Sequence, residues 1–281
     1  MAPLTITLTA VLQWTSWWSS SPWRTQNVLG NSNRDWTLRP VVESDLDDFV
    51  TVFIDAFKPS AGWQYGRYHD KDYTNYTWHC TRQYMGELWK NADLNNTFVN
   101  VIAVPIEDTE RASRRERVVS LAVWNWISPD QQASQPLSVF MPSVPSAYFD
   151  RGSPTRVQAG NDKDFDCSKH LDTNMTRLAD MERQMDAAMQ RYIYSSDKSQ
   201  LYLNLLATHP DWDGNGFAAA QLNVRFKKAL VKKVPITLLA SPAGYPLYDS
   251  LDFASIANIT IKKLDGLGTL WFEYMRRARD A

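Results

Sequence analysis

LYLNLLATHPDWDGNGFAAA, residues 201–220, is the segment around which we predict the chain to be organised. It begins as an apolar strand, breaks at His209 and Pro210, and passes through a short turn of Asp, Gly and Asn. The alanines that follow are typical of a helix. A strand that leads through a glycine-containing loop to a helix N-terminus is suited to hold phosphate, because free backbone N–H groups and the helix dipole both favour an anion.

The strand carries a second signal, which is a break in its alternation. Leu201, Leu203 and Leu205 alternate with Tyr and Asn, as expected for a strand with one buried face. Leu206 follows Leu205 directly, which predicts a β-bulge at residues 206–208 and leaves backbone groups of the strand unpaired. An extended ligand with its own amides pairs with such groups. Phosphate at the helix and amides along the strand together describe pantetheine diphosphate.

Two blocks carry a resemblance to a known family. THPDWDGNGFA (208–218) resembles the acyl-CoA signature of the GNAT-type N-acetyltransferases, in which a bulged strand precedes Gln/Arg-x-x-Gly-x-Gly/Ala and a helix. Asp213 stands at the Gln/Arg position, Gly216 at the first glycine and Ala218 at the second small residue. LLASPAGYPLYDSLDF (238–253) is similar to the next strand, a tyrosine-bearing helix and the closing Leu-Gly-Phe, and one amphipathic helix fits between the blocks.

The resemblance implies an α/β GNAT fold, with a mixed, mostly antiparallel central sheet that splays at a β-bulge and is flanked by helices. It also implies acetyl-CoA as cofactor and two catalytic residues: Leu206, whose N–H would act as oxyanion donor, and Tyr248, which would protonate the leaving thiolate. The cofactor-binding residues that it implies are Leu206, Ala207 and Thr208 for pantetheine, Gly214, Asn215, Gly216, Phe217, Ala218 and Ala219 for the diphosphate, and Ser241 and Tyr248 beside them.

The general base and two departures from the family pattern stand out. Tyr202 and Asn204 occupy positions where amine-acetylating relatives carry His or Glu, and neither is a good base near neutral pH. His209 is either a base or a capping or surface histidine, and a water chain or a neutral acceptor would remove the need for a base. Asp213 places a carboxylate beside the diphosphate, which should weaken binding. Asp252 replaces the glycine of the closing motif, so a positive φ there would be strained.

Composition restricts the partners. The formal net charge is −1, which indicates neither a nucleic-acid-binding field nor a membrane-seeking surface, and no apolar run is long enough to cross a bilayer. Cys80 and Cys167 are predicted to be buried thiols in a reducing compartment, so we expect a cytoplasmic protein. The spacing of His69, His79 and Cys80 predicts no metal site. Four Asn-x-Thr sequons would permit glycosylation if the protein were secreted, at Asn75, Asn95, Asn174 and Asn258.

The predicted organisation has three parts. Residues 1–33 form an extension with four tryptophans, which either packs on the main domain or binds a partner. Residues 34–281 form the GNAT domain, similar to a fungal-like member with a large insertion. That insertion, 128–200, lies between the third and fourth core strands and is a candidate substrate lid. The aromatic-rich connection 58–78 either forms one wall of the acceptor site or packs over the sheet.

We therefore predict an N-acetyltransferase that moves an acetyl group from acetyl-CoA to an amine of a small molecule, which the aromatic connection suggests is flat or apolar. One alternative is a GNAT-fold module that binds CoA or another ligand without turnover, which Asp213 and the missing base favour. The other alternative is a GNAT-fold biosynthetic enzyme with different chemistry.

Overall fold

The computed structural model describes residues 35–90, 97–108, 113–128, 165–195, 197, 199–266 and 268–278, without the side chains of 107–108 and 113–115. All of them belong to the unit Ser32–Ala281. The predicted extension 1–33 and most of the predicted insertion lie outside the described residues, so both boundaries stay predictions. Within the described ranges, no helix is long and apolar enough to cross a membrane.

A seven-stranded sheet forms the middle of the domain, in the order β1-β2-β3-β4-β5-β7-β6. Only β4 and β5 pair in parallel, and every other neighbouring pair is antiparallel. The predicted mixed, mostly antiparallel α/β architecture is therefore confirmed. The strands are β1 (Thr37–Pro40), β2 (Thr97–Asp108), β3 (Ser113–Ile127), β4 (Gln200–Thr208), β5 (Ile236–Ala240), β6 (Ala254–Lys262) and β7 (Thr269–Arg277).

Helices cover both faces of the sheet. They are α1 (Leu46–Phe57), α2 (Ala61–Gly66), α3 (Thr74–Lys90), α4 (Met175–Ala188), α5 (Phe217–Lys232) and α6 (Tyr245–Asp249). Side chains of α1, α2, α3 and α4 enter one hydrophobic cluster, and side chains of α5 and α6 enter another. Tyr202 of β4 belongs to the first cluster, whereas its neighbours Leu201 and Leu203 belong to the second. This alternation places the two clusters on opposite faces of the sheet.

The described end of the predicted insertion is helical, and buried polar contacts attach it to the domain. The Asn174 side chain caps α4 by accepting a hydrogen bond from the backbone N–H of Arg177 at 3.1 Å. Asp172 forms a buried ion pair with Arg67, directly after α2. A π-helical turn, Met189–Tyr194, then continues α4 towards β4.

The cysteine prediction is wrong. Cys80 and Cys167 form a disulfide that joins residues 87 positions apart, and both side chains are only half-buried. Spacing alone did not reveal the pair, because it depends on the insertion returning beside α3, where the Tyr76 hydroxyl also donates to the backbone carbonyl of Asp166 at 3.0 Å. Disulfides persist mainly in oxidising compartments. The predicted cytoplasmic location therefore loses the argument that free thiols gave it.

Candidate functional site

A β-bulge in β4 is the starting point of the candidate site. In the pairing of β3 with β4, Trp124 lies opposite Leu203 and the next residue, Val123, lies opposite Leu205, so Asn204 is the extra residue. The bulge thus begins two residues before the predicted position. The Leu205-Leu206 doublet indicates that the alternation of buried and exposed side chains is broken nearby. It does not identify which residue is the extra one.

The bulge reverses the edge to which the backbone of β4 points. The N–H of Leu201 donates to Pro235 at 3.0 Å, at the start of β5, whereas the N–H of His209 donates to Val119 of β3 at 2.9 Å. In a regular strand, two odd-numbered residues would face the same edge. Beyond the bulge, even-numbered residues therefore face away from β3. The backbone groups of Leu206 and Thr208 point away from β3, and those of Ala207 point towards it.

The sheet opens where the bulge lies. The parallel pairing of β4 with β5 ends at Leu203 and Leu238, although β4 continues to Thr208 and β5 continues to Ala240. The two strands separate beyond this point, and we call the gap between 204–208 and 239–240 the groove. The N–H and C=O groups of Leu206 and Thr208 face the groove. The sheet therefore splays at a bulge, as the predicted fold requires.

An uncapped helix N-terminus follows the open end of β4. Gly214 and Gly216 have φ angles of 78° and 76°, which only glycine adopts without strain, and a Cβ atom on either would meet nothing within 4 Å. Gly216 occupies the N-cap position of α5 but has no side chain that could accept a hydrogen bond. The N–H of Ala220 makes the first helical bond, to the carbonyl of Gly216 at 3.0 Å. Among the described residues, no backbone carbonyl accepts a hydrogen bond from the N–H groups of residues 214–219. They are available to an anion.

Two side chains brace this turn. Asn215 Nδ2 donates to the backbone carbonyls of Trp212 and Asp213, at 2.9 and 3.3 Å. The Phe217 side chain is buried and packs against Trp212 and Trp36, with ring centroids 6.3 and 6.0 Å apart. Asn215 and Phe217 therefore hold the first turn of α5 in place, and this leaves their backbone amides to face a ligand.

Tyr248 lies in α6 and is buried in the same hydrophobic cluster against which Leu206 packs. Burial raises the pKa of its phenol well above the usual range of tyrosine, so the hydroxyl keeps its proton. Gly244 packs against the ring and leaves room for it, since a Cβ on Gly244 would lie 3.0 Å from Cε2 of Tyr248. Ser241 Oγ accepts from the backbone N–H of Gly244 at 3.2 Å and so shapes the turn between β5 and α6.

His209 is a capping residue in this structure. Its Nδ1 accepts from the backbone N–H of Asp211 at 3.2 Å, and its Nε2 lies 3.2 Å from Oδ2 of Asp55. Because Nδ1 accepts, Nε2 carries the proton and donates to Asp55. Both ring nitrogens are engaged, which leaves no lone pair for an incoming amine. Of the two roles that the sequence left open, the geometry favours the cap.

Tyr202 and Asn204, the two strand residues considered above for the role of base, are also unsuited to it. Tyr202 is fully buried, and its hydroxyl lies 3.6 Å from the sulfur of Met189. Burial, with the nearby phenols of Tyr194 and Tyr248, raises the pKa of Tyr202 well above its usual range. Asn204 carries a neutral amide that is bonded to Asn125.

Asp213 and Asp252, the two residues singled out in the quoted blocks, differ in what the structure shows for them. Asp213 is exposed just before the amide turn, and desolvation raises its pKa, partly offset by His209. Asp252 has a φ of 62°, so a residue with a Cβ atom adopts the left-handed conformation at this position.

The aromatic connection divides between packing and exposure. Trp63, Tyr65 and Tyr76 are buried, and Trp63 Nε1 donates to Oδ2 of Asp70 at 2.8 Å. Tyr68 is 56% exposed and Tyr73 is 40% exposed. Packing therefore accounts for the three buried rings. The Arg177 guanidinium lies over the Tyr68 ring, 4.5 Å from its centroid, so one face of that ring is already covered.

Sequence reasoning missed two residues next to the site. Gly244 lies inside the second family block, but no sequence signal reports its contact with the Tyr248 ring. Asn125 stands between Trp124 and Trp126 in the otherwise apolar segment 121–127 of β3, and a polar residue at such a buried position was a usable signal. Among the described residues, no group of three or more His, Cys, Asp or Glu side chains could hold a metal ion.

The sequence matches no protein-family model, and no curated protein matches it in sequence. Solved structures with a similar fold include "histone acetyltransferase HPA2 and related acetyltransferase" from Corynebacterium glutamicum, with 16% identity, coverage of 86% of this chain and 96% of that chain, and a TM-score of 0.46. NAA60 of Arabidopsis thaliana, in complex with acetyl-CoA, has 12% identity, coverage of 88% and 100%, and a TM-score of 0.45. YncA of Salmonella typhimurium, a putative acetyltransferase with acetyl-CoA, has 12% identity, coverage of 87% and 94%, and a TM-score of 0.43.

Proposed function

We propose that this protein is an acetyl-CoA-dependent N-acetyltransferase that acetylates an amine of a small molecule. One observation carries the proposal: the bulge at Asn204 turns the backbone of Leu206 and Thr208 into a groove that leads to the uncapped N-terminus of α5. Unpaired strand amides and an adjacent anion site match the two halves of pantetheine diphosphate.

The residues present fit acetyl-CoA. The amides of 214–219 would hold the diphosphate, aided by the α5 dipole and by the space in front of Gly214 and Gly216. The C=O of Leu206 and the backbone groups of Thr208 would pair with the pantetheine amides, as a neighbouring strand would. Ser241 lies at the end of β5 and shapes the opposite edge of the groove. The contribution of Ala207 is structural in this arrangement, because its carbonyl accepts from Ser120 Oγ at 3.0 Å.

When bound, acetyl-CoA supplies an acetyl group activated as a thioester. The N–H of Leu206 would donate to the carbonyl oxygen as negative charge develops there. Tyr248 would hold a proton for the departing sulfur, and its raised pKa keeps that proton in place at neutral pH. With Tyr202, Asn204 and His209 unsuited to act as base, the acceptor would enter as a neutral amine or lose its proton to water.

The acceptor is proposed to be a small amine with aromatic or apolar character. Tyr68 and Tyr73 supply exposed rings on the connection that the family uses beside its acceptor. The formal net charge of −1 gives no basic field for a nucleic acid.

A binding module without turnover is the second candidate, because Asp213 and the occupied ring of His209 are the features least suited to catalysis. Calorimetric titration with acetyl-CoA and with CoA, followed by a thiol-release assay over a panel of amines, separates the candidates. Binding with thiol release supports the transferase. Binding without release for any amine favours the module. Turnover of another substrate without CoA binding favours a GNAT-fold enzyme with other chemistry.

A further inference from the structure

Three neutral side chains form a hydrogen-bonded chain across the sheet at the bulge. Asn204 Nδ2 of β4 donates to Asn125 Oδ1 of β3 at 2.8 Å, and Asn125 Nδ2 donates to Thr97 Oγ1 of β2 at 2.7 Å. Asn125 and Asn204 are only 4% and 8% exposed. Buried carboxamides weaken an apolar sheet unless they are hydrogen-bonded, so this chain requires an explanation beyond packing.

The position of the first bond provides one. Asn125 lies opposite Tyr202 in the ladder, and Thr97 lies opposite Asn125. Asn204 therefore reaches back diagonally across the bulge, to a residue paired with the regular part of β4 before it. The hydrogen bond from Asn204 to Asn125 ties the extra residue to the regular pairing before the bulge. It therefore favours Asn204 over its neighbours as the extra residue. These hydrogen bonds fix the extra residue at Asn204 although its Oδ1 is buried with no hydrogen-bond partner among the described residues.

The identity of the extra residue decides which amides face the groove. In a bulge, the two residues that share one partner both direct their backbone towards that partner. If the bulge moved two residues onward, Leu206 would become the extra residue and its N–H would turn from the groove towards β3. The leucine doublet offers little against such a slip, because Leu203, Leu205 and Leu206 carry the same side chain.

We propose that Thr97, Asn125 and Asn204 are positioning residues, which fix the bulge at residue 204 and so aim the N–H of Leu206 at the reacting carbonyl. The functional half of this inference rests on the proposed acetyl transfer. All three groups are neutral and do not titrate near neutral pH. Their effect is therefore the same at every assay pH at which the protein is folded.

Thr97 allows a matched test because it lies two strands away from the groove, roughly 10 Å from β4, and touches no ligand there. Thr97→Val keeps the branched shape and removes the hydroxyl, and Thr97→Ser keeps the hydroxyl. We expect Thr97→Val to lower kcat for thiol release about three- to tenfold, because the donor is misaligned and not removed. The dissociation constant for acetyl-CoA and the melting temperature should change little. Thr97→Ser should stay within about twofold of the parent protein, and Asn204→Ala should show the larger loss.

Hydrogen–deuterium exchange gives a readout that does not depend on activity. The β4 peptide containing 203–208 should exchange faster in Thr97→Val than in Thr97→Ser. The inference is overturned if the two variants exchange and turn over alike, or if the loss of kcat follows a loss of melting temperature. If the parent protein fails to bind acetyl-CoA, the proposed function fails, while the exchange comparison still decides whether the chain fixes the bulge.

Discussion

Replacing Gly244 by alanine tests whether the position of the Tyr248 ring matters for turnover. An ideal Cβ at this site lies 3.0 Å from Cε2 of Tyr248, whereas carbon atoms in ordinary contact are about 3.5–4.0 Å apart. The ring must therefore give way by a few tenths of an ångström. The backbone of Gly244 has φ −83° and ψ −24°, which alanine adopts freely, so the fold itself is not strained.

The magnitude follows from the role of the phenol. A reacting group displaced by about 1 Å costs up to about 100-fold in rate, and half that displacement costs correspondingly less. We expect Gly244→Ala to lower kcat for thiol release by about tenfold, which equals about 1.4 kcal/mol of barrier. The dissociation constant for acetyl-CoA should remain close to that of the parent protein, because the α5 amides are untouched.

A double-mutant cycle with Tyr248→Phe identifies the route of the effect. If Gly244→Ala acts through the phenol, the double variant should be no slower than Tyr248→Phe alone, whose own loss should be at least about tenfold. Gly62→Ala is the matched control, since a Cβ at Gly62 meets nothing within 4 Å. Independent, additive effects in the cycle, or a Gly244→Ala protein as fast as the parent, would refute the role of the Tyr248 position.

Three other outcomes follow from the site and the fold. Asp213→Asn should tighten acetyl-CoA binding about threefold at low salt, because one like charge at roughly 6 Å in water contributes about 0.7 kcal/mol. In calorimetric titrations this gain in affinity should shrink as the salt concentration rises. A gain that does not depend on salt would contradict the prediction. Cys80→Ser should lower the free energy of unfolding in urea by about 2–4 kcal/mol. If the parent protein, kept without reductant, is alkylated at both cysteines, the disulfide is absent. The free energy of unfolding should fall as pH rises above about 10, since the unfolded chain ionises Tyr202 and Tyr248 while the folded protein keeps both protons. Tyr202→Phe should make the free energy of unfolding depend less steeply on pH. An unchanged dependence on pH would contradict the raised pKa of Tyr202.

The local pattern of the chain was sufficient to predict the order of strand, bulge, turn and helix around 201–220. Alternating leucines, a glycine-containing turn and an alanine run each act over a few residues, so a single sequence contains them. For Asp252 the sequence indicated only that a positive φ would be strained, and the structure has a φ of 62° there. These features together define the sheet that opens and the uncapped α5.

Features that depend on distant parts of the chain meeting in space could not be predicted. Cys80 and Cys167 pair because the end of a long insertion returns beside α3, and their separation in sequence gives no sign of it. The extra residue of the bulge is Asn204, and the reason lies in Asn125, a side chain on another strand. The role of His209 likewise depends on Asp55, which α1 brings from 154 residues away.

The missing base and the exposed aromatic rings lead to the same kind of acceptor. An alkyl amine with a pKa near 10.4 is neutral in only about one molecule in 2,500 at pH 7, so without a base it forfeits about 4.6 kcal/mol before it can attack. An amine whose pKa lies below the assay pH forfeits nothing, and such amines carry their nitrogen on electron-withdrawing, usually flat, groups. Under the proposed function, such groups would stack on the exposed parts of Tyr68 and Tyr73, although Arg177 already lies over one face of Tyr68. Under the proposed acetyl transfer, the lack of a base on β4 would favour weakly basic amines, and it does not by itself argue against catalysis.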